Sequence, residues 1–353
     1  MKVTTILLCA VVFALGCGAS PGALDKPSPR EPAAPLVVRS LVLPGGGPAG
    51  VSMDYLACDR PAGRVWVPAG NTGSVDVIET ATDKITRIEG FPTAEVERDG
   101  KKRVVGPSSV TLGEGFAYVG NRADSQVCAI DARTLRKGAC VALPTPPDGL
   151  AYVSTTKEVW VTTPRDQSIT ILDVTNPTAP ALHGKIALQG QPEGYAVDEQ
   201  RGVFYTSFED ADRTLAIDVR ARRVSATWDP QCGEAGPRGL IVDPASRFVV
   251  VACTDHLVSL DGAHDGRRTA TLPLGAGIDN IDFLPARHEV YVAAGKDQKL
   301  AVARLGEDGS LTVTASATTS PGARNVVADQ AGNAYLADSA QGRILVVARA
   351  VRP

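Results

Sequence analysis

A large apolar residue returns along this chain at Trp66, Tyr118, Trp160, Phe204, Val250, Tyr291 and Tyr335, at intervals of 52, 42, 44, 46, 41 and 44 residues. A second apolar run keeps step with it: VDVIE at 75–79, VCAID at 127–131, ITILD at 169–173, LAIDV at 215–219, LVSLD at 257–261, LAVAR at 300–304 and ILVVA at 344–348. Two positions that stay in phase through seven units define a repeat. Short runs of this kind, rich in aromatic and β-branched residues, are strands. A period of about 40–50 residues made of several strands points to a radial array, because no unit buries its faces until its neighbours stack on it.

The first unit shows its strands most clearly, as runs at 51–58, 64–68, 74–79 and 84–89 from innermost to outermost. The turns between first and second strands read DRPAGR, VSTTKE, DEQRG, DPASR, LPARHE and DQAGN, the polar chemistry of tight hairpins. The last unit has runs only at 324–328, 333–337 and 343–349, while an unassigned apolar run, LVVRSLVL at 36–43, precedes the first unit. The N-terminal strand is therefore expected to supply the missing outer strand, closing the ring and removing its open edges. The expected fold is all-β: a seven-bladed β-propeller of four-stranded antiparallel blades, closed by the N-terminal strand. The longest interval carries TAEVERDGKKRVVG at 93–106, read as a hairpin centred on Asp99-Gly100. It is expected to project over the channel mouth, either as a lid or docking element or as a tolerated insertion.

The segments VWVPAGNTGSVDVIETATDK (65–84), AYVGNRADSQVCAIDARTLRK (117–137) and VYVAAGKDQKLAVARL (290–305) resemble the YVTN-type β-propellers, relatives of the NHL and lactonase-like seven-bladed propellers. That family's unit reads V-Y-V-x-N, a polar loop, V-x-V-I-D and T-x-x-K. The resemblance spans about residues 36–350 and implies the blade. It does not imply a reaction, because propellers host many unrelated functions.

The N-terminus, MKVTTILLCAVVFALGC, has one lysine and an apolar run from Val3 to Leu15, a secretion signal too short for a membrane span. Ala14-Leu15-Gly16-Cys17 resembles a bacterial lipobox, which implies cleavage before Cys17 and lipidation of its thiol. The family usually places Leu and then a small residue where this chain has Ala14 and Leu15, so ordinary cleavage near Ala19 or Ala23, giving a secreted protein, is the alternative. Gly18 after the cysteine is compatible with an outer-membrane destination. The expected organisation is a signal with its lipobox-like cysteine at 1–17, a disordered Pro-rich tether at 18–35 and a propeller at 36–353. Membrane attachment would be by the lipid alone. A net charge of -3 gives no electrostatic reason to expect nucleic acid as a partner.

Of the seven cysteines, Cys9 lies in the signal and Cys17 at its end, leaving five in an exported protein. Cys128 and Cys140 flank the turn between the third and fourth strands of the second unit. Cys232 lies in the loop entering the fifth unit, and Cys253 ends that unit's second strand. Two disulfides, Cys128 with Cys140 and Cys232 with Cys253, are expected where register lets the Cβ atoms meet. Cys58 is left as a buried thiol. No CxxCH or CxxC motif occurs, which excludes an attached haem.

In a closed propeller, the segments leading into each innermost strand gather at one mouth of the channel, along with the loops joining second to third strands. Here the former read GPAGV, GPSSV, PDGL, PEGY, PRGL, GIDNI and GARNV. Their alignment places Asp148, Glu193, Arg238, Asp279 and Arg324 at equivalent positions, with Asn280 and Asn325 one step on. The ring is read either as a polar pocket for a small ligand or cation, or as mutually neutralising surface charge. The lactonase-like resemblance implies a divalent cation held by carboxylates and amides, and Asp148, Glu193, Asp279, Asn280 and Asn325 match it by residue type. Arg238 and Arg324 oppose it. His183 and His264 are placed in turns between third and fourth strands, and His288 in a first-to-second turn, all on the opposite face. His256 beside Asp255 is a mouth-side pair, more simply read as a turn than as an acid–base couple.

The leading expectation is a non-enzymatic, monomeric, exported and lipid-anchored propeller presenting its loop faces to a protein, glycan or small ligand of the cell envelope. No catalytic residue, metal or cofactor is assigned to it. The alternative is a metal-dependent lactonase or esterase-like hydrolase using calcium or another divalent cation at the mouth.

Overall fold

The computed structural model describes Met1 and residues 36–350 other than 99 and 235. The signal, Cys17 and the tether lie outside the described residues. The chain divides into Met1–Ala33 and Ala34–Pro353.

The described residues form seven four-stranded antiparallel sheets and one two-stranded hairpin. The second blade is representative: Pro107–Gly113 innermost, then Phe116–Asn121, Gln126–Asp131 and Arg136–Ala142 outermost. In the last blade Leu36–Val42 pairs with Arg343–Arg349 over seven residue pairs, from Leu36 opposite Arg349 to Val42 opposite Arg343. The N-terminal strand thus closes the ring by hydrogen bonding. Arg39 on that strand also reaches Asp83 of the first blade through two hydrogen bonds, at 2.6 and 2.9 Å. Inner strands of successive blades touch all the way round, including the seventh with the first.

The repeated large residues explain why the units need one another. Trp66, Trp160, Phe204, Val250 and Tyr335 are wholly buried, and Tyr118 and Tyr291 are 1% exposed. The core is divided into seven clusters, each combining residues of two neighbouring blades. Trp66 packs with Val110, Val119 and Ile130 of the next blade, and Trp160 lies 5.0 Å from the Phe204 ring. Ile78, also fully buried, packs instead toward Tyr335 of the seventh blade. Each such side chain contributes about 2–3 kcal/mol of burial that a lone blade would lack.

Two sequence expectations are corrected here. The inner strand of the first blade does not run 51–58; regular pairing covers only Ala57–Asp59. Val51 instead donates to Ser339 O of the seventh blade at 2.9 Å, Ser52 O accepts from Gly70, and Tyr55 bridges to Ser109 of the second blade. The first blade is where the ring joins, and this segment spends its backbone groups on neighbours rather than on its own second strand. His183 is not in a turn. It lies on the outer strand Ala181–Ala187, at a bulge where the register against Ser168–Asp173 shifts. His264 and His288 do lie in turns, as expected.

The insertion is a hairpin of Ala94–Arg98 and Lys101–Val105, with Gly100 at a φ of 69°. Its base rests against the Gly70–Thr72 turn of the first blade. A Cβ on Gly106 would stand 2.1 Å from Gly70 O, so only glycine permits that approach. Cys128 and Cys140 are direct partners across adjacent strands and form a disulfide, and Cys232 and Cys253 form the second. Cys58 is a half-buried free thiol, raised to about 12 by burial and then by Asp282.

Candidate functional site

The inner strands begin irregularly, and this sets the mouth. Register shifts fall between Pro107 and Ser109, Pro192 and Tyr195, Pro237 and Leu240, and Arg324 and Val326. Bulges of this kind re-aim a side chain at the end of a strand. Glu193, Arg238 and Asn325 occupy three of them. Asn325 has a φ of 57° and is almost fully buried. Asp148 is fixed by its backbone, its N–H donating to Thr162 O at 2.9 Å.

The ring is wired together by residues from seven blades. Arg122, in the loop between second and third strands of the second blade, forms ion pairs with both Asp148 and Asp54, the latter at 2.8 Å. Asp54 Oδ1 accepts from Asn325 Nδ2 at 3.1 Å, and Asn325 Oδ1 accepts the Asn280 backbone N–H at 3.3 Å. Tyr55 donates its phenol to Asp148 Oδ2 at 3.3 Å. Arg324 pairs with Asp279 at 3.1 Å, and Arg238 with Glu209 at 2.8 Å. Of the expected ring residues, Asp279 and Arg324 neutralise each other by a direct ion pair; other pairs in the ring draw on Asp54, Arg122 and Glu209.

Two groups stand apart from this wiring. Among the described residues Glu193 makes no hydrogen bond or ion pair. Asn280 Nδ2 is sealed from solvent without a hydrogen-bond partner. Burial pushes Glu193 well above the usual carboxylate range, and Asp148, Asp279, Glu209 and Asp54 push it the same way. Burial lifts Asp148 to about 6 against the pull of Arg122, with Asp54 adding to the rise. Asp279 is raised by burial despite Arg324. Tyr55 is raised by burial first and by Glu193 next.

Below the ring runs a channel cavity of about 320 Å³. Its upper wall includes Asn280, Asn325, Tyr55 and Tyr195, and it reaches Pro244 and Pro285 at the far end. The Tyr55 and Tyr195 rings stack with centroids 5.6 Å apart. At the far end Arg60 crosses from the first blade to Asp282 of the sixth, at 2.6 Å. His256 Nδ1 and Asp255 Oδ1 lie 2.5 Å apart, so these side chains do meet, but among the described residues no hydrogen bond or ion pair joins them to the ring.

The donor set disfavours a divalent cation: Asp148, Asp279 and the Asn325 carbonyl each have an oxygen committed to protein donors, and three guanidiniums stand in the ring. Sequence reading missed Asp54, Tyr55, Arg122, Tyr195 and Glu209. Arg122 and Glu209 were findable, since GNRADSQ and FEDADR are mouth-side loops. Asp54 and Tyr55 lie just beyond the aligned segment GPAGV.

Fold and mouth define the class: a closed seven-bladed β-propeller with an ion-paired ring over a largely apolar channel. No protein-family profile and no curated protein matches the sequence. Among solved structures, the chain is similar to Kuenenia stuttgartiensis hydrazine synthase, at 14% identity and a TM-score of 0.69 over 86% of this chain and 96% of that one. It is similar to a chain of the mitotic checkpoint complex, at 15% identity and a TM-score of 0.69 over 97% and 100%. It is also similar to virginiamycin B lyase of Staphylococcus aureus, at 12% identity and a TM-score of 0.68 over 88% and 99%. Relatives this distant and this varied share the fold alone.

Proposed function

We propose that this protein is an exported, non-enzymatic binding propeller of the cell envelope, held to a membrane by lipid on Cys17, that takes its ligand at the channel mouth. The observation that carries the reading is the pair of unpartnered polar groups, Glu193 and Asn280 Nδ2, in a ring whose other charges are paired. Polar groups left free at the rim of an apolar cavity are where a ligand gains orientation. The two disulfides and the apolar leader support export to an oxidising compartment.

The test is site-specific photocrosslinking in cells. A photoreactive residue at Arg324, whose side chain is 54% exposed on the mouth, should capture a ligand or partner; one at Arg267, 68% exposed on the opposite face, should not. Equal labelling at both positions, or none at either, contradicts the reading. Hydrolysis of a lactone panel that depends on a divalent cation and on Glu193 would replace it with the hydrolase. Cys17→Ser protein that stays with the membrane fraction would remove the lipid anchor.

A further inference from the structure

Charge balance at the mouth shows what kind of ligand would complete it. Five carboxyl groups, on Asp54, Asp148, Glu193, Glu209 and Asp279, face three guanidiniums, on Arg122, Arg238 and Arg324. Arg122 pairs with Asp54 and Asp148, Arg238 with Glu209 and Arg324 with Asp279, and Glu193 is the acid without an ion pair among the described residues. The electron-rich faces of Tyr55 and Tyr195 stand on the same cavity, with Leu240, Ile281, Phe283 and Val326 below them. A carboxyl beside stacked aromatic rings over an aliphatic wall suits a compact cation that tolerates partial desolvation. A metal ion would have to share the ring with three guanidiniums, which oppose it. A carboxylate-bearing ligand would meet the surplus acids.

We propose that the mouth binds a small amphipathic organic cation, with its ammonium group beside Glu193 and its apolar body against Tyr55 and Tyr195. This rests on the mouth-binding reading above and names the ligand class for it. The cavity lies at the small end of the range of ligand pockets, which limits the apolar body to about one ring or a short branched chain. Binding is linked to protons. Glu193 is faced by Asp148 of the third blade, Glu209 of its own, Asp279 of the sixth, and Asp54 and Tyr55 of the first. Burial and these acids favour its protonated form, so an ammonium arriving beside it favours ionisation and the release of a proton to solvent.

Isothermal titration of the full chain with benzylammonium, benzyl alcohol and benzoate tests this directly. The expected order is benzylammonium tightest, by about tenfold over benzyl alcohol, with benzoate weakest. The enthalpy should vary with the ionisation enthalpy of the buffer, reporting proton release. Glu193→Gln should abolish the preference for the ammonium, while Arg267→Gln on the opposite face should keep it. Equal binding of alcohol and ammonium, a preference that survives Glu193→Gln, or no binding of benzylammonium overturns the inference. Crosslinking confined to the Arg324 position would still uphold the mouth-binding reading in those cases, so the two failures are distinguishable.

Discussion

Arg122 donates to Asp54 Oδ2 at 2.8 Å, which ties a loop of the second blade to the segment where the ring joins. The same guanidinium pairs with Asp148 of the third blade. Burial works to lower the Arg122 pKa, but the two carboxylates outweigh it and raise it. Arg122→Ala would strand two largely desolvated acids, and breaking a buried pair in this way costs about 3 kcal/mol or more. Chemical denaturation should show that loss at pH 7, and it should shrink at pH 5 as Asp148 takes up a proton.

Glu193→Gln should act in the opposite direction. Its folded pKa is raised, so its contribution to stability is fully present below the ordinary carboxylate value and is lost as pH rises through the raised value. Asp148 behaves alike, losing its contribution between about 4 and about 6. Wild-type protein should therefore melt higher near pH 5 than near pH 8. The glutamine variant should gain about 1 kcal/mol at neutral pH, on the order of 2 °C in Tm, and show a flatter profile.

Trp160 separates packing from hydrogen bonding at a blade interface. Its Nε1 donates to Glu158 Oε2 at 2.9 Å, and Glu158 also pairs with Arg222 of the next blade. Trp160→Ala should cost about 3–5 kcal/mol through the cavity it leaves between blades. Trp160→Phe keeps much of the ring and should cost about 1–2 kcal/mol, chiefly the lost donor. Equal losses in urea unfolding would contradict this division.

The Cys128–Cys140 link spans 12 residues of sequence between hydrogen-bonded strands. Closing so short a loop constrains the unfolded chain by about 3 kcal/mol. The double serine variant should remain folded, with its denaturation midpoint lowered accordingly.

The blades were legible because Trp66, Tyr118, Trp160 and their counterparts report one physical demand, burial between neighbours, at a nearly constant spacing. The closing strand was legible because a missing strand and a surplus one are the same fact seen at the two ends of the chain. The mouth was legible only as a set of positions. Asp148, Glu193, Arg238, Asp279 and Arg324 do gather, yet the pairing that decides their charge depends on Arg122, Glu209 and Asp54. Bulges at Pro192–Tyr195 and Arg324–Val326 further shift the register by which side chains are aimed. A bulge has no composition of its own, and the irregular first inner strand departs from the repeat for the same reason: its backbone partners are distant in sequence.

Glu193 is a carboxyl without a protein partner among the described residues, in surroundings that favour its neutral form. Carbon-detected NMR of 13C-labelled glutamate side chains, assigned by loss of one resonance in Glu193→Gln, measures this directly. The Glu193 carboxyl should titrate well above the ordinary value of 4.5, and its pKa should fall when benzylammonium is added. A Glu193 resonance titrating at or below that value in the free protein would contradict it.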